Sequence, residues 1–498
     1  MFKMLTEPEF ALRAGRADRV AVFREFLADR ETPVAALSRL GEREDAFLLE
    51  SVSGGDVRGR YSYLGLDPYA TLVEIDGRVV LTPRGGEPQV QPESDALPAL
   101  RRLFAGSRYE AAPELPAFQG GAVGYVAYDA VSSFEPRVRL TREPGTPCKA
   151  FLLTDTMLVF DNVRNTVTVV VSLDVPSYPS VHDAYAAAMS RIDAVHERVL
   201  SAGSIARLMS EMRRNGPRPA VSSFRSEMSR GEFAEMVGRC KAAIRAGEVI
   251  QIVPSQKFTA ETDISSLALY RALRIVNPSP YNFMMRIGGK ALIGSSPEEL
   301  VKLAGREAST APIAGTRPRG ATPARDAELE RELKADEKEN AEHVMLVDLG
   351  RNDLGRVCGT GSVKVESFAK VERYSHVMHL VSRVKGLLAD GMDAFDLFRA
   401  AFPAGTLTGA PKVRAMELIA GLEKSPRGVY GGAAGYFSFT GDMDFAIVIR
   451  TMTLENGKLV MRSGAGIVAD SDPGMEYDET VNKAKAVFEA AKFAEELS

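Results

Sequence analysis

Apolar positions in this chain follow two spacings, and the change between them suggests how it is organised. Runs such as Phe47-Leu48-Leu49-Glu50-Ser51, Ala150-Phe151-Leu152-Leu153 and Thr166-Val167-Thr168-Val169-Val170-Val171 predict short strands, with turns at Gly54-Gly55 and Asp76-Gly77. From about Asp183 to Met212 the spacing turns helical, until Asn215-Gly216-Pro217-Arg218-Pro219 breaks it. We therefore divide the chain into an N-terminal part, 1–215, and a second part, 220–498. In the latter, Ser229 opens a helix with Phe233, Met236, Val237 and Cys240 on one side, ending at Ala246-Gly247. A strand over Val249–Val253 follows, and strands at Ala291–Gly294 and Phe445–Ile449 alternate with helices over Asp393–Phe402 and Val481–Leu497. No repeat of fixed period is present.

Composition narrows the class. The 498 residues exceed the usual size of a single core, and 45% hydrophobic with 26% charged residues is ordinary for a globular protein. Sixty-two basic against 66 acidic residues leave a net charge of -4, which offers no basic field for nucleic acid or an anionic membrane. Cys148, Cys240 and Cys358 are isolated and predict buried thiols in a reducing compartment. With no secretory leader and no uninterrupted apolar run of membrane-spanning length, a cytoplasmic location is expected.

Candidate chemistry centres on Asp336-Glu337-Lys338-Glu339-Asn340-Ala341-Glu342-His343. In a helix, Glu339 and Glu342 project from one face a turn apart, a spacing that suits Mg2+, which takes one or two carboxylates and keeps part of its water. The same residues also read as an ordinary acidic helix start, with Asp336 and Glu339 as a capping box. Glu476 and Glu479 repeat the spacing near the C-terminus, and two such faces could meet across a metal. Pro312–Gly320, with two glycines, two prolines and two arginines, reads either as a carboxylate-binding loop or as a turn with solvated arginines. The glycines of Ser463-Gly464-Ala465-Gly466-Ile467 allow a small anion close to the main chain. Gly405–Lys412 lacks the ending of a phosphate loop. Of the five histidines, His379 is the candidate proton carrier, against the plainer reading of a hydrogen-bonded structural histidine. No nucleophilic signature of a glutamine-hydrolysing enzyme is visible.

Taken together, Gly294-Ser295-Ser296-Pro297-Glu298, Pro312–Gly320, Ala341–Asp353 and Phe402–Lys412, with Tyr430-Gly431-Gly432 and Gly464-Ala465-Gly466 behind them, resemble the chorismate-utilising enzymes. Within that family the motifs resemble those of the anthranilate synthase component I branch. Leu48-Leu49-Glu50-Ser51, Gly59-Arg60-Tyr61-Ser62 and Gly120–Tyr125 extend the resemblance into the first part. It implies an α+β fold in which mainly antiparallel sheets, flanked by helices, enclose a deep chorismate cleft.

The resemblance also implies an activity, the Mg2+-dependent conversion of chorismate and ammonia to anthranilate and pyruvate in tryptophan synthesis. Carried onto matching positions, Glu339, Glu342, Glu476 and Glu479 form the metal shell, with Glu342 and Glu479 the direct ligands. Gly315, Thr316, Thr406, Tyr430, Arg450, Gly464, Ala465, Gly466 and Lys483 hold the substrate. Glu298 donates a proton to the leaving C4 hydroxyl, and His379 removes the C2 proton as pyruvate departs. Hydroxylating relatives carry a water-activating lysine where this chain has Gln251, and aminodeoxychorismate synthases typically a nucleophilic lysine where it has Ala314, so direct attack by ammonia is expected.

Feedback inhibition by L-tryptophan is a further implication, through Glu50, Ser51, Pro280, Tyr281 and Asn282; many relatives carry Met where this chain has Asn282. Glu50 and Ser51 also read as part of an ordinary edge strand. Ammonia is expected from a separate glutamine amidotransferase subunit, making a hetero-oligomer. Two alternatives stand beside this reading: an aminodeoxyisochorismate or aminodeoxychorismate synthase, and a catalytically silent tryptophan-sensing subunit.

Overall fold

The computed structural model describes residues 2–42, 44–51, 59–200, 219–373 and 377–497. Two large sheets carry the fold, and each draws strands from both sides of residues 201–218. In the first, the order is Arg225–Ser226, Ser255–Glu261, Lys458–Gly464, Thr451–Glu455, Lys290–Ser296, Tyr281–Ile287, Ala46–Glu50, Tyr61–Leu66, Thr156–Asp161, Thr166–Asp174, Arg19–Leu27 and Tyr109–Glu110. The second runs Ile313–Pro318, Val377–Leu387, Glu307–Thr310, Glu299–Ala304, Met443–Ile447, Ala433–Ser438, Gly121–Val126, Lys149–Thr154, Ala70–Ile75, Arg78–Pro83 and Gln89–Val90, with Lys364–Arg373 also on Val377–Leu387. Apart from the short parallel pair Arg19–Leu27 with Tyr109–Glu110, the pairings are antiparallel.

Strand patterning shows which faces are covered. Ala70–Ile75 alternates between buried and half-buried positions, whereas Gly121–Val126 and Lys149–Thr154 are buried throughout. Aromatic rings join the two sheets: Phe118 stacks on Tyr436 at 4.2 Å and meets Tyr63 edge-on at 5.4 Å. Helices Val181–Val195, Ser266–Val276 and Pro473–Leu497 pack on the first sheet; Ala96–Ala105, Glu337–Gly355 and Ala394–Ala401 pack on the second. This is the expected α+β class of antiparallel sheets flanked by helices.

Local expectations fared unevenly. The helix Arg230–Arg245 buries Phe233, Met236, Val237 and Cys240, and Ser229 and Glu232 form its capping box. The strand expected over Val249–Val253 shrinks to Gln251–Ile252, paired with Gly409–Ala410. The segment Pro312–Gly320 is largely not a loop: Ile313–Pro318 is a strand on Val377–Leu387, with a bulge between Ala314 and Thr316. The C-terminal helix begins at Pro473, a turn and more before the expected start. The expected helix from Asp183 is observed as Val181–Val195 with a π turn to Leu200; its remainder, and the breaker up to Arg218, lie outside the described residues, as does the turn Gly54-Gly55. All three cysteines are free and buried. Among the described residues, no helix is long and apolar enough to cross a membrane.

Candidate active site

Two helix starts bring the carboxylates in. Asp336 caps Glu337–Gly355, its side chain accepting from the Glu339 amide at 3.1 Å, so Glu339 and Glu342 share a face about a turn apart at the helix start. Asp472 does the same for Pro473–Leu497, accepting from the amides of Gly474 and Met475 at 2.9 Å, and Glu476 and Glu479 follow. The two starts are neighbours, for the charge of Lys338 reaches Glu476.

All four carboxylates have partners within the chain. Glu342 accepts from the Gln251 amide at 3.2 Å, Glu479 meets Lys483 at 2.6 Å, and Glu339 meets Arg317 at 3.4 Å. Glu476 has a hydrogen bond from Ser471, but its Oε2 is buried with no hydrogen-bond partner. Burial, reinforced by a neighbouring carboxylate, raises the pKa of both Glu339 and Glu476. Among the described residues, no three His, Cys, Asp or Glu side chains stand close enough together to hold a metal. An acceptor-only oxygen set with one orphaned carboxylate oxygen nevertheless fits a hard divalent cation, which would draw the two pairs together.

Beside these carboxylates lie an acid and a base. Glu298 follows the strand Lys290–Ser296, and its carbonyl is held by the Ile447 amide at 3.0 Å. Burial pushes its carboxyl up to about 7, partly offset by Thr406, Arg450 and Lys483. Arg450 sits at φ 49°, an unusual conformation for a non-glycine residue, with its guanidinium 3.4 Å from the Asn277 side-chain oxygen. Burial depresses its pKa, Glu298 opposes that, and its charge also reaches His379.

His379 is carried by Val377–Leu387, opposite Thr316. Its Nδ1 lies 3.0 Å from the Gly315 carbonyl and 3.0 Å from Thr316 Oγ1. Because a carbonyl only accepts, Nδ1 carries the hydrogen of the neutral ring, and the basic lone pair is on Nε2. Burial lowers the His379 pKa and so favours that neutral form. Gly315 makes the approach possible, with φ at +66° on the bulge. A Cβ there would stand 2.9 Å from Leu333 and 3.4 Å from Glu339 Oε2, which also places the base beside the first carboxylate pair.

The glycines of Gly464-Ala465-Gly466 are also closely approached. A Cβ on Gly464 would come within 2.6 Å of the Pro254 carbonyl and 2.9 Å of the Tyr430 hydroxyl; one on Gly466 would meet Gln251 Nε2 at 2.8 Å. Ala465 is buried between them, and Lys483 donates to the Gly464 carbonyl at 3.3 Å. These contacts link Gly315, Thr316, Thr406, Tyr430, Arg450, Gly464, Ala465, Gly466 and Lys483 with Glu298, His379 and the carboxylates into one neighbourhood.

Sequence reasoning missed what supports it. Glu423, Arg427 and Arg462 form a buried network behind Tyr430, with Arg427 on Glu423 at 2.7 Å and on the Val253 carbonyl at 2.6 Å, and Arg462 on Ser255 at 2.9 Å. Only the i, i+4 spacing of Glu423 and Arg427 could have signalled part of it. The arginines of Pro312–Gly320 are taken by the chain's own acids, Arg317 by Asp336 at 2.7 Å and Arg319 by Asp326 at 2.8 Å. Lys412 is held by Asp353 at 2.8 Å, in keeping with the rejection of a phosphate loop.

The second predicted cluster is divided by strand alternation. Glu50 and Asn282 are paired across neighbouring strands and so share a face. Glu50 is buried, accepts from the Tyr270 hydroxyl at 2.5 Å and lies 3.4 Å from Arg274. With Ser51 and Arg274 it lines a cavity of about 300 Å3. Asn282 donates to the Ser279 carbonyl at 2.7 Å, while its Oδ1 is buried without a partner. Tyr281 turns the other way, its hydroxyl 3.1 Å from Glu299, and of the five predicted residues only Glu50 and Ser51 line that cavity; Pro280, Tyr281 and Asn282 do not.

Comparisons with known proteins bear on the family to which this fold belongs. The model of the chorismate binding enzyme family matches residues 44–489. Anthranilate synthase component 1 of Neisseria meningitidis is 43% identical over 99% of each chain, and that of Cereibacter sphaeroides 44% over 95% of this chain and 94% of its own. The crystal structure of anthranilate synthase component I from Streptococcus pneumoniae superposes with a TM-score of 0.73 at 35% identity, covering 93% of this chain and 98% of that one. The isochorismate synthase MenF of Escherichia coli, at 19% identity and a TM-score of 0.69, shares the fold over 95% of each chain.

Proposed function

The chain belongs to the family of chorismate-binding enzymes, and from that premise we propose that it converts chorismate and ammonia to anthranilate, pyruvate and water. What supports this reading is that Glu298, whose carboxyl holds its proton to about 7, and neutral His379 both feel the charge of Arg450, as a proton donor and a proton acceptor for one substrate would.

Arg450 pairs with a substrate carboxylate in the bidentate manner open to a guanidinium. Ammonia attacks ring carbon C2, the ring double bonds shift, and the C4 hydroxyl leaves as water with the proton of Glu298; the new ammonium group then sheds one proton, which restores the acid. Nε2 of His379 then takes the C2 proton, the C3–oxygen bond breaks, and the side chain departs as the enol of pyruvate while the ring becomes aromatic. Gly315 holds the tautomer that makes Nε2 the base. The glycines of Gly464-Ala465-Gly466 let the anionic substrate come close to the main chain, with the cation of Lys483 beside them.

Glu339, Glu342, Glu476 and Glu479 would hold Mg2+, in keeping with their oxygen donors and the orphaned Oε2 of Glu476. Once bound, it would supply positive charge for a substrate carboxylate. Gln251 bears on the choice of nucleophile, since its amide has no basicity with which to activate water. The resemblance to proteins called component 1 supports a partner component, which we propose is a glutamine amidotransferase delivering ammonia. The cavity beside Glu50 and Ser51 is the proposed seat of L-tryptophan inhibition. Assay of the pure chain with chorismate, Mg2+ and ammonium salt tests the reading; a product that keeps the enolpyruvyl group would favour an aminodeoxychorismate-type synthase instead.

A further inference from the structure

A second cavity, of about 240 Å3, opens at the far end of the hairpin that carries Asn282, where Tyr281–Ile287 turns through Gly288-Gly289 into Lys290–Ser296. Its wall includes Arg286, Lys290, Glu42, Asp263, Ile264 and Leu454. The unusual member is Arg286, only 5% exposed, whose Nε and Nη2 are buried with no hydrogen-bond partner. The nearest carboxylate among the described residues is Glu42, at 3.8 Å and beyond hydrogen-bonding reach, and it already accepts from Ser266 at 2.7 Å. Asp263 is likewise engaged, by the Ala220 amide at 2.8 Å. Lys290, half-buried in the same wall, feels the charges of Glu455 and Glu143 but forms an ion pair with neither.

Burying a guanidinium with two unused donors is costly unless an acceptor completes it. We propose that this cavity is a binding site for a small organic monocarboxylate, held by Arg286 and Lys290 with its apolar body against Ile264 and Leu454. Glu42 and Asp263 disfavour a second negative charge on the ligand, so the site discriminates against dianions. The cavity lies apart from the acid and base, and the inference does not depend on the proposed reaction.

The probe is benzoate, titrated calorimetrically into the full chain at constant ionic strength, with inorganic phosphate at the same concentrations as the dianionic comparison. To remove competition at the active site, the titration is done in an Arg450→Met background. One benzoate is expected to bind there, with phosphate at least tenfold weaker. Adding Arg286→Met or Lys290→Met is expected to weaken benzoate at least tenfold while the thermal transition persists; two variants guard against one failing to fold. Absence of benzoate binding in the Arg450→Met protein, binding unchanged by either added substitution, or phosphate binding as tightly as benzoate would overturn the proposal.

Discussion

Nδ1 of His379 lies 3.0 Å from the main-chain oxygen of Gly315, and this one contact decides which ring nitrogen can act as a base. Gly315 belongs to a strand that also approaches Glu339, so the base, the bulge and the first carboxylate pair stand together.

Replacing His379 with Ala should lower turnover by about 10²–10⁴-fold, the usual worth of a positioned general base. Because loss of the C4 hydroxyl and elimination of pyruvate use different groups, the variant should accumulate an amino-substituted product retaining the enolpyruvyl group. Mass analysis of the reaction mixture checks this.

The pH dependence follows from two opposite shifts. Catalysis needs Glu298 protonated and His379 neutral, so the rate should rise below the ordinary histidine value and fall about a midpoint near 7, at constant free ammonia. Glu298→Gln should remove the proton donor and cost about 10²–10⁴-fold. For stability the sign is opposite to that of a salt-bridged carboxylate: the folded value lies above the unfolded 4.5, so ionisation of Glu298 destabilises the fold as pH rises from 4.5 to about 7. The Gln variant should therefore melt higher than the parent at pH 8, a comparison made by calorimetry.

Without metal, Glu476 carries an unsatisfied buried oxygen. Glu476→Gln should leave the melting temperature in chelator unchanged or raised, yet abolish the rise in melting temperature that Mg2+ gives the parent. A chelator-treated variant that unfolds instead would assign Glu476 a structural part.

The two glycines of Gly464-Ala465-Gly466 should differ when each is changed to Ala. At Gly464 the new methyl meets the Pro254 carbonyl, which is main chain; at Gly466 it meets the end of the Gln251 side chain, which can swing away. Gly464→Ala should thus lose about 1–3 kcal/mol in denaturant unfolding. Gly466→Ala should stay folded but disturb the Gln251–Glu342 contact and weaken Mg2+ activation.

Several of these relationships were legible in the sequence. The i, i+3 carboxylate spacing at two helix starts is local, and so are the caps at Asp336 and Ser229, because helix geometry ties residues three and four apart. Strand partners are not local. Nothing in Phe47–Glu50 announces that it pairs with Tyr281–Ile287, more than two hundred residues on, yet that pairing sets Glu50 beside Asn282. The same limit explains Pro312–Gly320: its glycines and prolines suggest a loop, but pairing with Val377–Leu387 makes most of it a strand, and acids from two helices claim its arginines. The buried Glu423–Arg427–Arg462 network joins distant segments and left almost no local trace.

The most direct measurement is the product made from chorismate by the pure chain with Mg2+ and ammonium salt, followed by fluorescence and mass; with no tryptophan in the chain, the protein adds little signal of its own. The account predicts fluorescent anthranilate with equimolar pyruvate. A hydroxylated product, or an amino product that still bears its enolpyruvyl group, would contradict it.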